Sequence, residues 1–216
     1  SRSIDLNARS GNRWTAFMYA CNVGHTDVVK LILDHSTERN IDLNVRDRQG
    51  QTAFMNACIS EHKDVVKLIL DHSNINIDLN TRSGNGWTAF MYACKFGRIN
   101  IVKLMLNHST ERNIDLNTRA LGQTAFMHAC KSGHKEVVKH ILVHQSRSID
   151  LNAREDDGNT AFTYACNVGH TDVGKLILDN STERNIDLNA RYDNGQTAFA
   201  YACNVGHTDV VKLILD

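Results

Sequence analysis

A chain of 216 residues has room for one or two globular domains with a sizeable core, and its 24 basic and 24 acidic side chains leave no net charge. No long-range field therefore draws in nucleic acid or an anionic membrane. No apolar run approaches the roughly 18 residues of a membrane span, and Ser1-Arg2-Ser3-Ile4-Asp5 lacks the charged and apolar regions of a leader, so neither nucleic acid nor membrane is expected as a partner.

Internal repetition organises the chain. Thr-Ala-Phe recurs at Thr15, Thr52, Thr88, Thr124, Thr160 and Thr197, and Ile-Asp-Leu-Asn begins at Ile4, Ile41, Ile77, Ile114, Ile149 and Ile186. The expected units are 4–40, 41–76, 77–113, 114–148, 149–185 and 186–216, together forming a single repeat domain.

Each unit opens on a segment such as Ile41-Asp42-Leu43-Asn44-Val45-Arg46, which alternates with period two and runs into the turn-forming Asp47-Arg48-Gln49-Gly50. This reads as an extended arm leading into a tight finger. Phe54, Ala57 and Cys58 then recur at the spacing of one helical face, and a Gly such as Gly24 or Gly97 closes most of these first helices as a left-handed cap. The stretch Thr26 to Asp34 predicts a second, more buried helix, with Thr26 as its N-cap and Asp27 in its first turn.

The run Gly50 to Cys58, followed by His62 to Leu70 and by Asp78-Leu79-Asn80, resembles the ankyrin repeat. The resemblance covers the whole chain and implies an all-α solenoid of helix-turn-helix repeats with finger turns, binding other proteins through a concave face of fingers and first helices. Departures from the family pattern matter. The Pro of the motif is Ala in every copy, from Ala16 to Ala198, and its His is replaced by Met18, Met55, Met91, Met127, Thr163 or Ala200. Links such as His35-Ser36-Thr37-Glu38-Arg39-Asn40 are long, which predicts bulky, loose loops. The fourth finger, with only Ala120 and Leu121 between Arg119 and Gly122, is shortened.

Six cysteines, Cys21, Cys58, Cys94, Cys130, Cys166 and Cys203, hold one position per unit. Packed helices lie roughly 8–10 Å apart, beyond the reach of a disulfide, so these thiols are expected to be reduced core residues. Unpaired cysteines point in turn to an intracellular, cytoplasmic chain. His140 and His144 are four apart on one helix, a metal-compatible spacing, but His140 stands where other units have Leu and reads as a tolerated core or edge substitution. No catalytic, cofactor or metal residues are expected.

The expected partner is another protein. Trp14, Tyr19 and Val23 in the first unit, Trp87, Tyr92, Lys95 and Phe96 in the third, Tyr164 and Val168 in the fifth, and Tyr192, Tyr201 and Val205 in the sixth mark a face that the core does not use. The competing reading is that these rings pack against neighbouring fingers. Arg9, Arg46, Arg82, Arg119, Arg154 and Arg191 recur once per unit, either lining an anion site or pairing locally with Asp. Two alternatives to a binding module are a structural spacer and an engineered scaffold. Gly174 in mid-helix and Glu61 in place of a capping Gly count against the latter. The apolar Val210, Val211, Leu213 and Ile214 in the last unit suggest flanking repeats or end-to-end self-association.

Overall fold

The computed structural model describes residues 4–72, 75–144 and 148–216. Its twelve helices among these residues form six pairs: α1 (Ala16–Val23) and α2 (Thr26–His35), α3 (Ala53–Ile59) and α4 (Lys63–Asp71), α5 (Ala89–Lys95) and α6 (Ile99–Asn107), α7 (Ala125–Lys131) and α8 (Lys135–Val143), α9 (Ala161–Val168) and α10 (Thr171–Asp179), α11 (Ala198–Val205) and α12 (Thr208–Leu215). The fold is all-α, built of helix-turn-helix repeats with finger turns. Two compact units are present, one comprising Ser1–Ala93 with Asn100–Asp115 and the other Cys94–Ile99 with Leu116–Asp216. In the first, α1 packs on α3; in the second, α9 lies between α7 and α11, and α10 between α8 and α12.

The Thr of each Thr-Ala-Phe starts a first helix without help from proline. Thr15, Thr52, Thr88, Thr124, Thr160 and Thr197 each accept, through Oγ1, the backbone N–H three residues on at 3.3 Å. Such a cap contributes about 1 kcal/mol. Left-handed Gly24, Gly169 and Gly206 end α1, α9 and α11. Glu61 takes the same left-handed region at φ 62°, where a side chain is strained.

The second helices differ from expectation in two respects. Thr26 is the first residue of α2 rather than its cap, which falls on His25. The first helices are also the more buried: six residues of the seven in α3 are enclosed, against four of the nine in α4. The physical reason is placement, since first helices are covered by fingers as well as by neighbouring helices.

Between repeats, the Asn of Ile-Asp-Leu-Asn acts as a clasp. Asn44 donates to the carbonyl of Asn76 (2.6 Å) and accepts from the N–H of Asp78 (2.9 Å); Asn7, Asn80, Asn117 and Asn152 repeat the pattern. In the second repeat the Asp and the Arg find other partners than each other. Asp42 Oδ1 accepts the N–H of Asn44, whereas Arg46 donates to the carbonyls of Gly50 and Arg82, bracing its own finger and the next. Arg119 and Asp150 do form an ion pair, at 4.0 Å. The shortened fourth finger closes as a two-residue hairpin. Ala120 and Gln123 exchange both backbone hydrogen bonds at 3.0 Å, and Leu121 and Gly122 both have positive φ, the backbone that a type I′ turn demands.

Five of the six repeated phenylalanines, Phe17, Phe54, Phe90, Phe126 and Phe162, are buried, each side chain stabilising the fold by about 1.5–3 kcal/mol. Phe199, in the register where the repeat pattern places a core ring, is instead 38% exposed, because no helix among the described residues lies over the outer side of α11. The loops after α2, α6 and α10 are bulky but held by hydrogen bonds. Ser36, Ser109 and Ser181 cap the preceding carbonyls of Leu33, Leu106 and Leu178 at 2.7–2.8 Å, and Asn40, Asn113 and Asn185 take the left-handed turn that closes each loop. Arg112 reaches back to the carbonyls of Leu70 (2.6 Å) and His72, satisfying the orphan C-terminal acceptors of α4, and Arg184 does the same for α8 through Leu142.

Candidate functional site

The fifth residue of each Thr-Ala-Phe segment, counting the Thr as first, is Tyr19, Asn56, Tyr92, His128, Tyr164 or Tyr201, on the side of the first helix that meets the fingers. Sequence reasoning placed the tyrosines on an open face. Tyr92 and Tyr164 are instead buried, each 7% exposed. The Tyr92 hydroxyl donates to Ser83 Oγ (3.2 Å) and receives the Gln51 amide N–H (3.2 Å). In the second unit, Tyr164 donates to Glu155 Oε1 and receives the Gln123 amide (2.5 Å), while Gln123 also donates to Glu155 Oε2 (2.8 Å). These rings lock fingers to helices. Burial first, and the Glu155 carboxylate second, raise the Tyr164 phenol above its ordinary range and keep it the donor.

The remaining aromatics are tied down less completely. Trp14 stacks on Tyr19 with centroids 5.1 Å apart, and its indole N–H donates to the buried Asp47 carboxylate at 3.2 Å. Tyr19 stays 49% exposed beside the exposed Val23. Trp87 packs on Tyr92 at 5.2 Å and is half-buried. In the second unit Phe96, Val168 and Val205 are exposed, Lys95 is half-buried, and Tyr192 packs on Tyr201 at 5.9 Å. Lys131 Nζ sits 4.6 Å from the centre of the Tyr164 ring, a cation–π contact. His128, buried in the place of a tyrosine, has its pKa pushed down to about 4, first by desolvation and then by Lys95 and Lys131, with Glu155 opposing.

The chemistry present is that of contact surfaces. Among the described residues no group of three or more His, Cys, Asp or Glu could hold a metal, and no helix is long and apolar enough to cross a membrane. Cys21, Cys58, Cys94, Cys130 and Cys166 are buried free thiols, and Cys203 is an exposed one. Desolvation raises the pKa of the buried thiols, to about 12 for Cys166, which holds them protonated and unreactive.

A family model described as ankyrin repeats (3 copies) matches residues 2–83, 73–155 and 145–216. The chain belongs to the ankyrin repeat family. Among solved structures it is similar to the ankyrin repeat protein EF0377, with 26% identity, a TM-score of 0.81 and 99% of each chain covered. It is also similar in fold to the ankyrin repeat domain of Bcl-3, a member of the IkappaB protein family (21% identity, TM-score 0.82, 98% of this chain and 86% of that one). An ankyrin repeat domain from Acinetobacter baumannii AYE aligns at 22% identity and a TM-score of 0.75 over 92% and 95% of the two chains. No curated protein sequence matches.

Ankyrin repeats serve generally as protein-binding modules, and the ankyrin fold here contains supports that sequence reasoning passed over. His62, His134, His170 and His207 each place Nε2 within 3.2 Å of a backbone carbonyl near the end of the preceding first helix, at Asn22, Lys95, Lys131 and Asn167. A carbonyl only accepts, so each ring donates from Nε2. Gly24, Gly97, Gly133 and Gly169 lie beneath these rings, where an added Cβ would come within 2.4–3.2 Å of ring atoms. The signal was the Gly-His pair spaced along the chain, legible once the two residues are taken together rather than as a cap and a stray imidazole.

Proposed function

We propose that this ankyrin repeat chain binds another protein through the finger and first-helix face, without catalysis, in a reducing cytoplasmic compartment. The observation that carries the reading is the exposure of Tyr19 and Val23 in one unit and of Phe96, Val168 and Val205 in the other, at the ends of first helices. Val23, Phe96, Val168 and Val205 hold the same place in the first, third, fifth and sixth repeats; apolar side chains left in water there add nothing to the core and supply anchors for a partner. Trp14 and Trp87 extend the surface of the first compact unit and Tyr192 and Tyr201 that of the second, with Tyr92 and Tyr164 supporting each from beneath. Five protonated, buried thiols suit a compartment that keeps cysteines reduced.

Site-specific photocrosslinking tests the proposal. A benzophenone side chain placed at Tyr19, Phe96 or Val168 is expected to capture one discrete polypeptide in the native host, while the same group at the exposed Lys67 or Lys139 on second helices captures none. Equal capture from both sets of positions, or none from the first, refutes the face and favours a spacer role. Phe199 and Leu215, exposed on the sixth helix pair, also favour contact with a second copy of the chain, which light scattering over a concentration series detects as a rising mass.

A further inference from the structure

A cavity of about 290 Å³ opens between the fifth and sixth fingers, lined among others by Asp157, Asn159, Asn167, Tyr192, Asp193 and Tyr201. Its origin can be read residue by residue. In the lower repeats a Gln amide, from Gln51 or Gln123, fills the equivalent space and binds the next tyrosine hydroxyl. Here the residue is Asn159, one methylene shorter, and its amide turns to Glu155 Oε1 at 2.5 Å. The finger residue that would receive the tyrosine proton, Ser83 or Glu155 elsewhere, is Tyr192, whose own hydroxyl donates to Asn167 Oδ1 at 2.6 Å. Tyr201 therefore keeps its ring against Tyr192 with no hydroxyl partner among the described residues.

The charge in this cavity is surplus to the fold. The fifth and sixth fingers meet where the Asp193 N–H donates to the Asp157 carbonyl (3.2 Å), and the same backbone bond joins Gly84 to Gln49 (2.7 Å) with no charge on either side. Neither carboxylate forms an ion pair among the described residues, and the lining contains no basic side chain. Arg154 and Arg191, the nearest repeated arginines, donate instead to the carbonyls of Arg191 and Gly195. Both carboxylates are exposed on adjoining fingers, where a cation seated in the cavity meets them together.

We propose that this cavity receives an arginine side chain of a protein partner, an inference that rests on the binding-module reading above and names the chemistry of one contact. The size is below the roughly 300–1,000 Å³ of small-molecule sites and suits one side chain. A planar guanidinium stacks on the tyrosine pair and offers several donors in one plane to Asp157 and Asp193, which the point charge of a lysine ammonium does not.

The test uses the full chain and two blocked amino acids, N-acetyl-arginine methylamide and the isosteric, uncharged citrulline derivative, titrated while ¹H–¹⁵N spectra are recorded. The arginine derivative is expected to produce saturable shifts at Tyr192, Tyr201 and Asn194, the citrulline derivative none. D157N together with D193N, on a chain whose spectrum otherwise overlays that of the parent, is expected to weaken arginine binding about tenfold. Equal shifts from citrulline, shifts confined to other repeats, or unchanged affinity in the double variant each overturn the arginine pocket. Crosslinking at Tyr19 and Phe96 reads out independently of these carboxylates, so failure here is distinguishable from failure of the binding-module reading.

Discussion

Gly174 occupies the interior of α10 at the place held by Val29, Val66, Val102 and Val138, all fully buried, in other second helices. Its φ is not in the left-handed region, so nothing in the backbone demands glycine. An added Cβ meets only the Leu213 Cδ2 of α12, at 3.4 Å, an ordinary van der Waals distance to a half-exposed side chain that can turn aside. Gly174→Ala removes about 1 kcal/mol of helix penalty. Gly174→Val recovers less propensity, about 0.4 kcal/mol, but buries two further carbons at about 0.8 kcal/mol each, giving an expected gain of about 2 kcal/mol. In a chain of this length 1 kcal/mol corresponds to roughly 2–4 °C in Tm, so the valine variant should melt about 4–8 °C higher if the unit unfolds cooperatively. Urea denaturation followed by circular dichroism gives the free energy, and hydrogen exchange at the α10 amides locates it in the fifth repeat. A valine variant no more stable than the parent would show that the Leu213 side is closed. An alanine variant without gain would show that residue 174 is not in a regular helix.

Two further outcomes follow from burial. His128 has a folded-state pKa near 4 against an unfolded value of about 6.5, so the unfolded chain binds more protons between these limits. Its contribution to stability is full above about pH 6.5 and is lost as pH falls through about 4, a change of about 3 kcal/mol. His128→Tyr, which installs the side chain found at Tyr92 and Tyr164, should flatten the pH dependence of the urea midpoint in that window; an unchanged slope refutes the assignment. Cys203 is the one exposed thiol among six, so an aromatic disulfide reagent should titrate one cysteine rapidly in the native chain and the other five only on unfolding. Rapid reaction of two or more would mean that the first-helix ladder is open to solvent.

The repeat length, the helix pairs and the finger turns were legible before the fold was in hand, because each depends on local chemistry that six copies restate in register; the threonine caps were not, since the cap expected at Thr26 falls on His25 and those of the first helices went unread. Thr52 caps its own helix, and Gly24 adopts its own left-handed turn, through groups within a few residues. Even the altered fourth finger announced itself by one missing residue, although the type I′ turn at Leu121-Gly122 needed the backbone angles. What periodicity could not decide was which polar groups meet across repeats. Tyr92 and Tyr19 stand at the same register position and read alike, yet one is buried and the other half in water. A Ser stands nine positions before each, Ser10 and Ser83, but Tyr92 also receives the amide of Gln51 from 41 positions back, in the neighbouring repeat. The same holds for Arg46, which the pattern set beside aspartates and the fold turned toward carbonyls, and for Asn159, whose missing methylene opens a cavity against Tyr201. Burial of a polar group is worth little or much according to whether a partner completes it, and that partner belongs to the neighbouring repeat, so only the stacking of one repeat on the next settles it.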